Sequence, residues 1–423
     1  MHMRDVFKRL WGKRTGFAVL AVILVAGIAV GRVMLVPHDA MSLNLVTWWT
    51  SPSEAGALNR IVSAFEASGG TLTVQSVQGA LAAEQTTIRM MNEGHAPSVA
   101  QFNISRQFDL LVEDGQLRHI DAVADKNKWT TVFPVYVQST IRRNGHFYAV
   151  PLAIHNYGAI FYSQAAFAKI GVATVPNTID DLIADLRKMR EQGVIPVAVG
   201  QSDWELKTIF DTVLLGVLGK DAFLKLYRDH DLALAGAPEL TRVLTYVAAL
   251  RDLTQPSPEI ATWDDATRQV MDNQAGVQFM GDWADGEFIA RGLSADKDFG
   301  CLPGLGATPT AIIGGDVWVF PKTDDPSTMR AQDALAEVAT NPRVQVAFSR
   351  DKGSIPARMD VDAGQLDACQ RRTTALVRRG DAVSNAEVFE SPEESHAIRA
   401  VLMRFWHREL DVAGVQKALQ NIL

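Results

Sequence analysis

The chain has 423 residues, a formal net charge of −7, 47% hydrophobic residues and two cysteines. This composition excludes a disordered, collagen-like or disulfide-framework protein. The net acidity, with no basic block beyond the N-terminus, excludes a nucleic-acid binder whose affinity would rest on neutralising phosphates.

Arg4, Lys8, Arg9, Lys13 and Arg14 precede an uncharged run from Phe17 to Val30, followed by Gly31, Arg32 and another apolar stretch to Val36. Cations ahead of an apolar core keep that end in the cytoplasm and send the rest across the membrane. The run has the length of a signal-peptide core, and with Arg32 snorkelling the stretch from Gly16 to Val36 also suffices as a span. Residues 1–42 are therefore expected to be a signal peptide or an N-terminal membrane anchor.

Leu43 to Trp49 (LNLVTWW) is a β-rich run, after which Leu58, Ile61, Val62 and Phe65 recur at helical spacing until Gly69-Gly70. This predicts a strand followed by a helix. The pattern returns where Thr178 and Asp181 open a helix, Leu182, Ile183, Leu186 and Met189 line its face, Gly193 closes it, and Val194 to Val199 forms a strand. Such alternation indicates α/β layers around largely parallel sheets. Helical patterning increases over Lys207 to Arg251 and Ala397 to Leu423, and two lobes of about 100 to 200 residues each fit the length better than one sheet.

Motifs for common chemistries (GxSxG, HExxH, CxxC, the P-loop, and GxGxxG between a strand and a helix) do not occur, so neither a cofactor nor a catalytic residue is assigned. Cys301 and Cys369 are spaced wrongly for zinc, and no metal site is expected from them. In an oxidising compartment they either form one bridge or remain two buried thiols. Asp282, Asp285 and Glu287 read as one exposed charged turn, Asp285 most of all.

The tryptophans fall at strand ends and turns, beside acids or amides: Trp48-Trp49 before TSPSE, Trp204 in QSDW, Trp263-Asp264, and Trp283 in GDWADGE, with Trp318 near Asp316. An indole face covers the C–H side of a sugar ring while carboxylates and amides take its hydroxyls. Core packing is the competing reading for each tryptophan taken alone.

WWTSPSE (48–54), VPLAIH (150–155), VQFMGDWADGEF (277–288), FGCLPG (299–304), DKGSIPARMDVD (351–362) and LDAC (366–369) together resemble the glucose- and mannose-type sugar-binding proteins of bacterial ABC importers, in the maltose-binding-like superfamily. The resemblance runs in order from about Leu43 to Cys369. It implies a two-lobed periplasmic-binding-protein fold of type II, each lobe a mostly parallel sheet flanked by helices, with a hinge between them. It implies a non-enzymatic periplasmic receptor, a monomer, whose partners are a sugar and an inner-membrane ABC permease, and it pairs Cys301 with Cys369. The lobes would comprise 43–151 with 317–358 and 152–316 with 359–423, the chain crossing near Pro151 to His155 and Gly314 to Trp318.

Carried over by position, the ligand residues are Trp48, Trp49, Glu54, Gln101, His155, Trp283, Asp316 and Lys352. Glu54 and Asp316 would accept from hydroxyls, Lys352 would donate with charge assistance, Gln101 would do both, and Trp283 or Trp49 would stack on the ring. Asn103 joins this set where relatives carry a basic or imidazole side chain, Ala159 replaces a large ring, and Glu387 stands about where relatives carry a ligand histidine. These departures would enlarge the pocket and alter its charge, so glucose is not carried over as the substrate. A buried, internally satisfied His155, a solvated turn Lys352 and a dipole-facing Glu54 are the structural alternatives. At the level of function, the alternatives are a membrane-tethered sensor or scaffold with an altered pocket, and a glycosidase using two carboxylates such as Glu54 and Asp316.

Overall fold

The computed structural model describes residues 41–104, 106–255 and 259–423, so the expected leader lies outside the described residues except for Met41 and Ser42, which open the first strand. Three sheets organise the rest. The first has the order β2-β1-β3-β13-β6, from β1 (Met41–Thr47), β2 (Gly70–Ser76), β3 (Val99–Asn103), β6 (Ala149–Pro151) and β13 (Asp316–Val319). The second, β11-β8-β10-β9, comprises β8 (Ile160–Ser163), β9 (Ile195–Val197), β10 (Ala275–Phe279) and β11 (Phe299–Leu302). The third, β14-β7-β12-β15, comprises β7 (Ala153–Asn156), β12 (Ala311–Gly314), β14 (Ile355–Pro356) and β15 (Ala382–Ser384). A small hairpin, β4 (Arg142–Arg143) with β5 (His146–Phe147), stands apart.

The α/β layering is as read from the sequence, but the sheets are mixed where strand–helix alternation suggested mostly parallel ones. β1 pairs with β3 in parallel, and β9 with β10, as alternation requires. β13, however, enters the first sheet antiparallel between β3 and β6, with Trp318 opposite Gln101 on one side and Val150 on the other. The reason is connectivity. β6 runs straight into β7 through Leu152, and β12 into β13 through Gly315, so each of these segments leaves one sheet and joins another. Their direction is set by where the chain comes from, which side-chain periodicity does not record.

Local signals explain the flanking helices. The Pro52–Ala67 helix is opened by Ser51, whose side chain accepts from the Glu54 N–H while Glu54 reaches back to the Ser51 N–H, with Pro52 pre-set at the first helical position. Ala57, Leu58, Ile61 and Phe65 form its buried face. The Ile179–Glu191 helix begins at the Thr178 cap and is followed by Gly193 at φ 71°, and then by β9. An extensive apolar core packs this helix with the Asp203–Tyr227, Pro238–Asp252 and Pro392–Trp406 helices around Leu186, Phe210, Leu244 and Phe405. No helix among the described residues is long and apolar enough to cross a membrane.

Cys301 on β11 and Cys369 at the start of the Ala368–Arg379 helix are joined in a disulfide, with Cα atoms 5.9 Å apart and a sequence separation of 68. A loop of that length restricts the unfolded chain by about 4 kcal/mol. Reduction, or paired replacement by serine, is expected to lower the denaturant-unfolding free energy by about that amount. An unchanged midpoint and slope would show that the bridge does not constrain the unfolded chain.

Candidate functional site

The polar residues singled out in the sequence meet where the three sheets approach one another. β3 supplies Gln101, β13 supplies Asp316, β7 supplies His155, and Asp282 follows β10. They form a continuous buried chain. Thr47 Oγ1 donates to Gln101 Oε1, and Gln101 Nε2 donates to Asp316 Oδ1 at 3.0 Å. His155 Nε2 lies 2.9 Å from Asp316 Oδ2, and its Nδ1 lies 2.5 Å from Asp282 Oδ1. Asp282 Oδ2 in turn accepts from the Asn156 N–H at 2.9 Å.

His155 is only 1% exposed. Burial alone would depress its pKa, but the two flanking carboxylates outweigh that and raise it to about 9. Burial pushes Asp282 up. The carboxyl of Asp316 settles below its ordinary value, because His155, Lys352 and Gln101 outweigh its burial. Since an ionised carboxylate only accepts, the geometry assigns both imidazole nitrogens as donors and His155 as the cation between two acids.

A second ion pair flanks this chain. Lys352 is 2% exposed and places Nζ 3.3 Å from Glu54 Oε1, while Glu54 Oε2 accepts from the Thr50 and Ser51 N–H groups at 3.0 and 3.1 Å. The same ammonium lies 5.8 Å from the Trp49 ring centroid and 5.9 Å from that of Trp283, within cation–π range. Lys352 ends the Pro342–Lys352 helix, and Gly353 caps it at φ 82°, where a Cβ would stand 2.4 Å from the Asp282 carbonyl oxygen. That close approach brings the KGSIP and GDWADGEF segments together.

The acids of GDWADGE are buried, where an exposed charged turn was expected. The Trp283–Ala290 helix packs against both the Pro52–Ala67 and Pro342–Lys352 helices, covering Asp282, Asp285 and Glu287. Glu287 accepts from Ser53, at 3.2 Å from its N–H and 2.5 Å from its hydroxyl, at the positive end of the Pro52–Ala67 helix. Asp285, 0% exposed, has its carboxyl pushed well up by burial and by Asp367 beside it.

The tryptophans divide. Trp49 is packed against Phe348 and Trp318, with centroids 5.3 and 6.5 Å away, so the stacking role considered for it meets a core position with no free face. Trp48 is half-buried and gives its backbone N–H to Gln101 Oε1 at 3.3 Å. Trp283 is also half-buried, and forms an aromatic corner with Tyr157 at 5.1 Å, His155 at 5.6 Å and Trp204 at 6.0 Å.

Open space lies beside this corner. One cleft is bordered by Asn103, Tyr136, Ile154, Tyr157, Asn385 and Glu387, and an adjoining, smaller one by Tyr157, Trp204, Lys207, Asp211, Glu387 and Arg399. Of the residues carried over from the family, Asn103 alone borders either space; Gln101, His155, Asp316, Glu54 and Lys352 satisfy one another just behind the walls. Glu387, the second departure, borders both spaces and pairs with Arg399. Ala159, the third, packs instead in the apolar cluster with Phe161, Met280 and Phe288.

Sequence reasoning missed the floor of the smaller space. Lys207 is buried with Asp211 at 2.8 Å and Glu390 at 3.1 Å, and Tyr227 donates to Asp211. Glu84, also missed, accepts from the Asn103 N–H at 3.0 Å, and burial raises its carboxyl to about 7. A lysine four residues before an aspartate inside the apolar run LKTIFDTVLL was the available signal for the Lys207 pair.

The model of the bacterial extracellular solute-binding protein family matches residues 60–372. The chain belongs to that family. It is 32% identical over 387 residues, 90% of each chain, to a probable sugar-binding periplasmic protein of Rhizobium meliloti. It is 31% identical over 392 residues, 90% of this chain and 92% of the other, to a protein of the same description in Brucella melitensis. Among solved structures, the bacterial solute receptor AcbH, described as exclusively preferring β-D-galactopyranose, superposes with a TM-score of 0.75 at 21% identity over 90% of this chain and 97% of its own. Maltose-bound T. maritima MalE3 gives 0.74 at 17% identity over 90% and 98%. These likenesses show the two-lobed α/β fold of periplasmic binding proteins. For this solute-binding protein the carboxylates weighed for glycosidase chemistry are both engaged, Glu54 by Lys352 and Asp316 by His155, and Asp316 is held ionised rather than poised as an acid.

The His155 clamp predicts a pH signature. The folded pKa of about 9 exceeds the unfolded 6.5, so its contribution is complete below pH 6.5 and is lost as the pH rises through 9. Urea unfolding between pH 6 and 10 should show this decline in the wild type and lose it in His155→Gln. Parallel curves for the two proteins would contradict the assignment.

Proposed function

We propose that this solute-binding protein is an exported sugar receptor that delivers its ligand from the periplasm to an ABC-type permease of the inner membrane. Residues 43–151 with 317–358 make one lobe, and residues 152–316 with 359–423 make the other. Residues 1–42 direct export, as a cleaved signal or a retained anchor. The protein works as a monomer. This reading is supported by the family, by the relatives described as sugar-binding periplasmic proteins, and by the chemistry of the cleft.

The observation that carries it is the half-buried aromatic corner of Trp283, Trp204 and Tyr157 beside open space bordered by Asn103, Asn385 and Glu387. A pyranose ring laid against Tyr157 and Trp204, which border the open space and pack on Trp283, buries its C–H face, while amide and carboxylate groups take hydroxyls from the other side. The ligand favours the closed arrangement because only there do both lobes touch it, and the change is bounded by that difference in affinity. Gln101, Asp316, Glu54 and Lys352 act on the sugar by exchanging internal partners for its hydroxyls as the lobes close on it. Trp48, Trp49 and His155 hold the wall behind them. The departures at Asn103 and Glu387 lie on the open cleft and set which sugar fits.

A thermal-shift screen over mono- and oligosaccharides, followed by tryptophan-fluorescence titration of each hit, tests this. A ligand that binds only the folded state raises the melting temperature with concentration. Trp283→Ala is expected to weaken the best ligand about ten- to a hundredfold, about 1.4 to 2.8 kcal/mol. An absence of any saturable response across the panel, or wild-type titration by Trp283→Ala, would overturn the proposal.

A further inference from the structure

Away from the cleft, two histidines and a carboxylate converge at the surface. We propose that His119, Asp121 and His146 form a binding site for a divalent transition-metal ion of borderline softness, represented by Zn²⁺. One ring nitrogen from each of His119 and His146 and one carboxylate oxygen of Asp121 all lie within 4.8 Å of one another. Asp121 Oδ2 is 2.6 Å from the first nitrogen of His146 and 3.1 Å from that of His119, and the two imidazole centroids are 5.0 Å apart. An ion bound at about 2.0 to 2.2 Å from each donor needs only a small outward movement of the rings.

The backbone holds these donors in place. Asn144 and Gly145, at φ 51° and 88°, make the tight turn of the β4–β5 hairpin, with Arg143 opposite His146. The hairpin is fastened to the segment carrying the other two ligands: the Ile120 N–H donates to the Phe147 carbonyl at 2.8 Å, and the Phe147 N–H donates to Asp121 Oδ1, also at 2.8 Å. One carboxylate oxygen is thereby spent on orienting the group, while the other faces both imidazoles. A carboxylate fixed by a backbone N–H is the outer support that metal sites depend on. Tyr148 closes one side with its ring edge, 6.2 Å from His119 and 6.5 Å from His146.

Donor type sets the ion. Two imidazoles with one carboxylate suit Zn²⁺, Ni²⁺ or Cu²⁺, whereas Mg²⁺ and Ca²⁺ demand oxygen. Both histidines are exposed, so the remaining coordination positions would be taken by water. The bound ion would tie the His119–Asp121 segment to the hairpin. That hairpin directly continues the Val135–Ile141 helix, and Tyr136 of this helix borders the cleft.

Isothermal titration of the chelator-treated full-length protein with ZnCl₂, and with MgCl₂ as control, tests the site. One Zn²⁺ per chain and no response to Mg²⁺ are expected. His119→Ala and His146→Ala should each raise Kd at least about tenfold, and the double variant should abolish binding. His95→Ala, which alters an exposed histidine paired with Glu93, should titrate as wild type. Metal-free melting curves that coincide with wild type would show that the variants still fold. Unchanged Zn²⁺ stoichiometry and affinity in the folded double variant, or the lack of saturable binding by wild type, would overturn the proposal.

Discussion

One buried interaction organises this molecule: the imidazolium of His155 held between Asp282 and Asp316. Its members link all three sheets, since His155 lies on β7, Asp316 on β13, and Asp282 in the short turn that follows β10. Removing three ionisable groups from water costs several kcal/mol per ion, and only close pairing with every remaining lone pair satisfied offsets that. Here it is offset. Gln101 and the Asn156 N–H take the outer carboxylate oxygens, so the chain ends in neutral donors. Loss of the imidazole would leave two carboxylates facing each other in the interior, and breaking a buried pair in this way costs about 3 to 5 kcal/mol. The clamp sits where the chain passes between sheets at Leu152 and Gly315, next in the chain to Ile154, Gly315 and Val317, which border the cleft.

The segments that identify the family and the residues that border the cleft are largely different sets. GDWADGEF, KGSIP and LDAC meet in one structural junction. Gly353 presses on the Asp282 carbonyl, Lys352 is held by Glu54, Asp367 lies against Asp285, and Cys369 is bonded to Cys301. Each of these contacts tolerates little change in size or charge. The cleft is bordered instead by Asn103, Tyr157, Asn385 and Glu387, which lie outside those segments. A shared scaffold with a variable lining is how one fold serves many ligands.

This division explains what was legible in the sequence. The α/β layering, the capped helix after Thr178, and the convergence of Gln101, His155 and Asp316 follow from local signals or from position along the resemblance. The direction of β13 was not legible, because alternation of side chains is the same in parallel and antiparallel strands. Nor was the burial of Asp285 and Glu287: their spacing is that of a polar turn, and only the helices packed across them, with Ser53 as donor to Glu287, show otherwise. Trp49 carried the same aromatic-plus-acid pattern as Trp283 yet lies in the core, since the pattern does not report which face a neighbouring helix covers. The ionic floor of Lys207, Asp211 and Glu390 joins residues as far as 183 positions apart, beyond any local motif.

The central claim is that His155 carries a full positive charge shared with two acids, and that this charge holds the sheets together beside the cleft. Nitrogen-15 spectra of protein labelled at histidine measure it directly. At pH 8 the His155 imidazole should keep both ring nitrogens protonated and titrate near 9, its signals identified by their loss in His155→Gln. If the His155 resonances instead show a single protonated nitrogen at pH 8, the charged clamp does not exist and the account built on it fails.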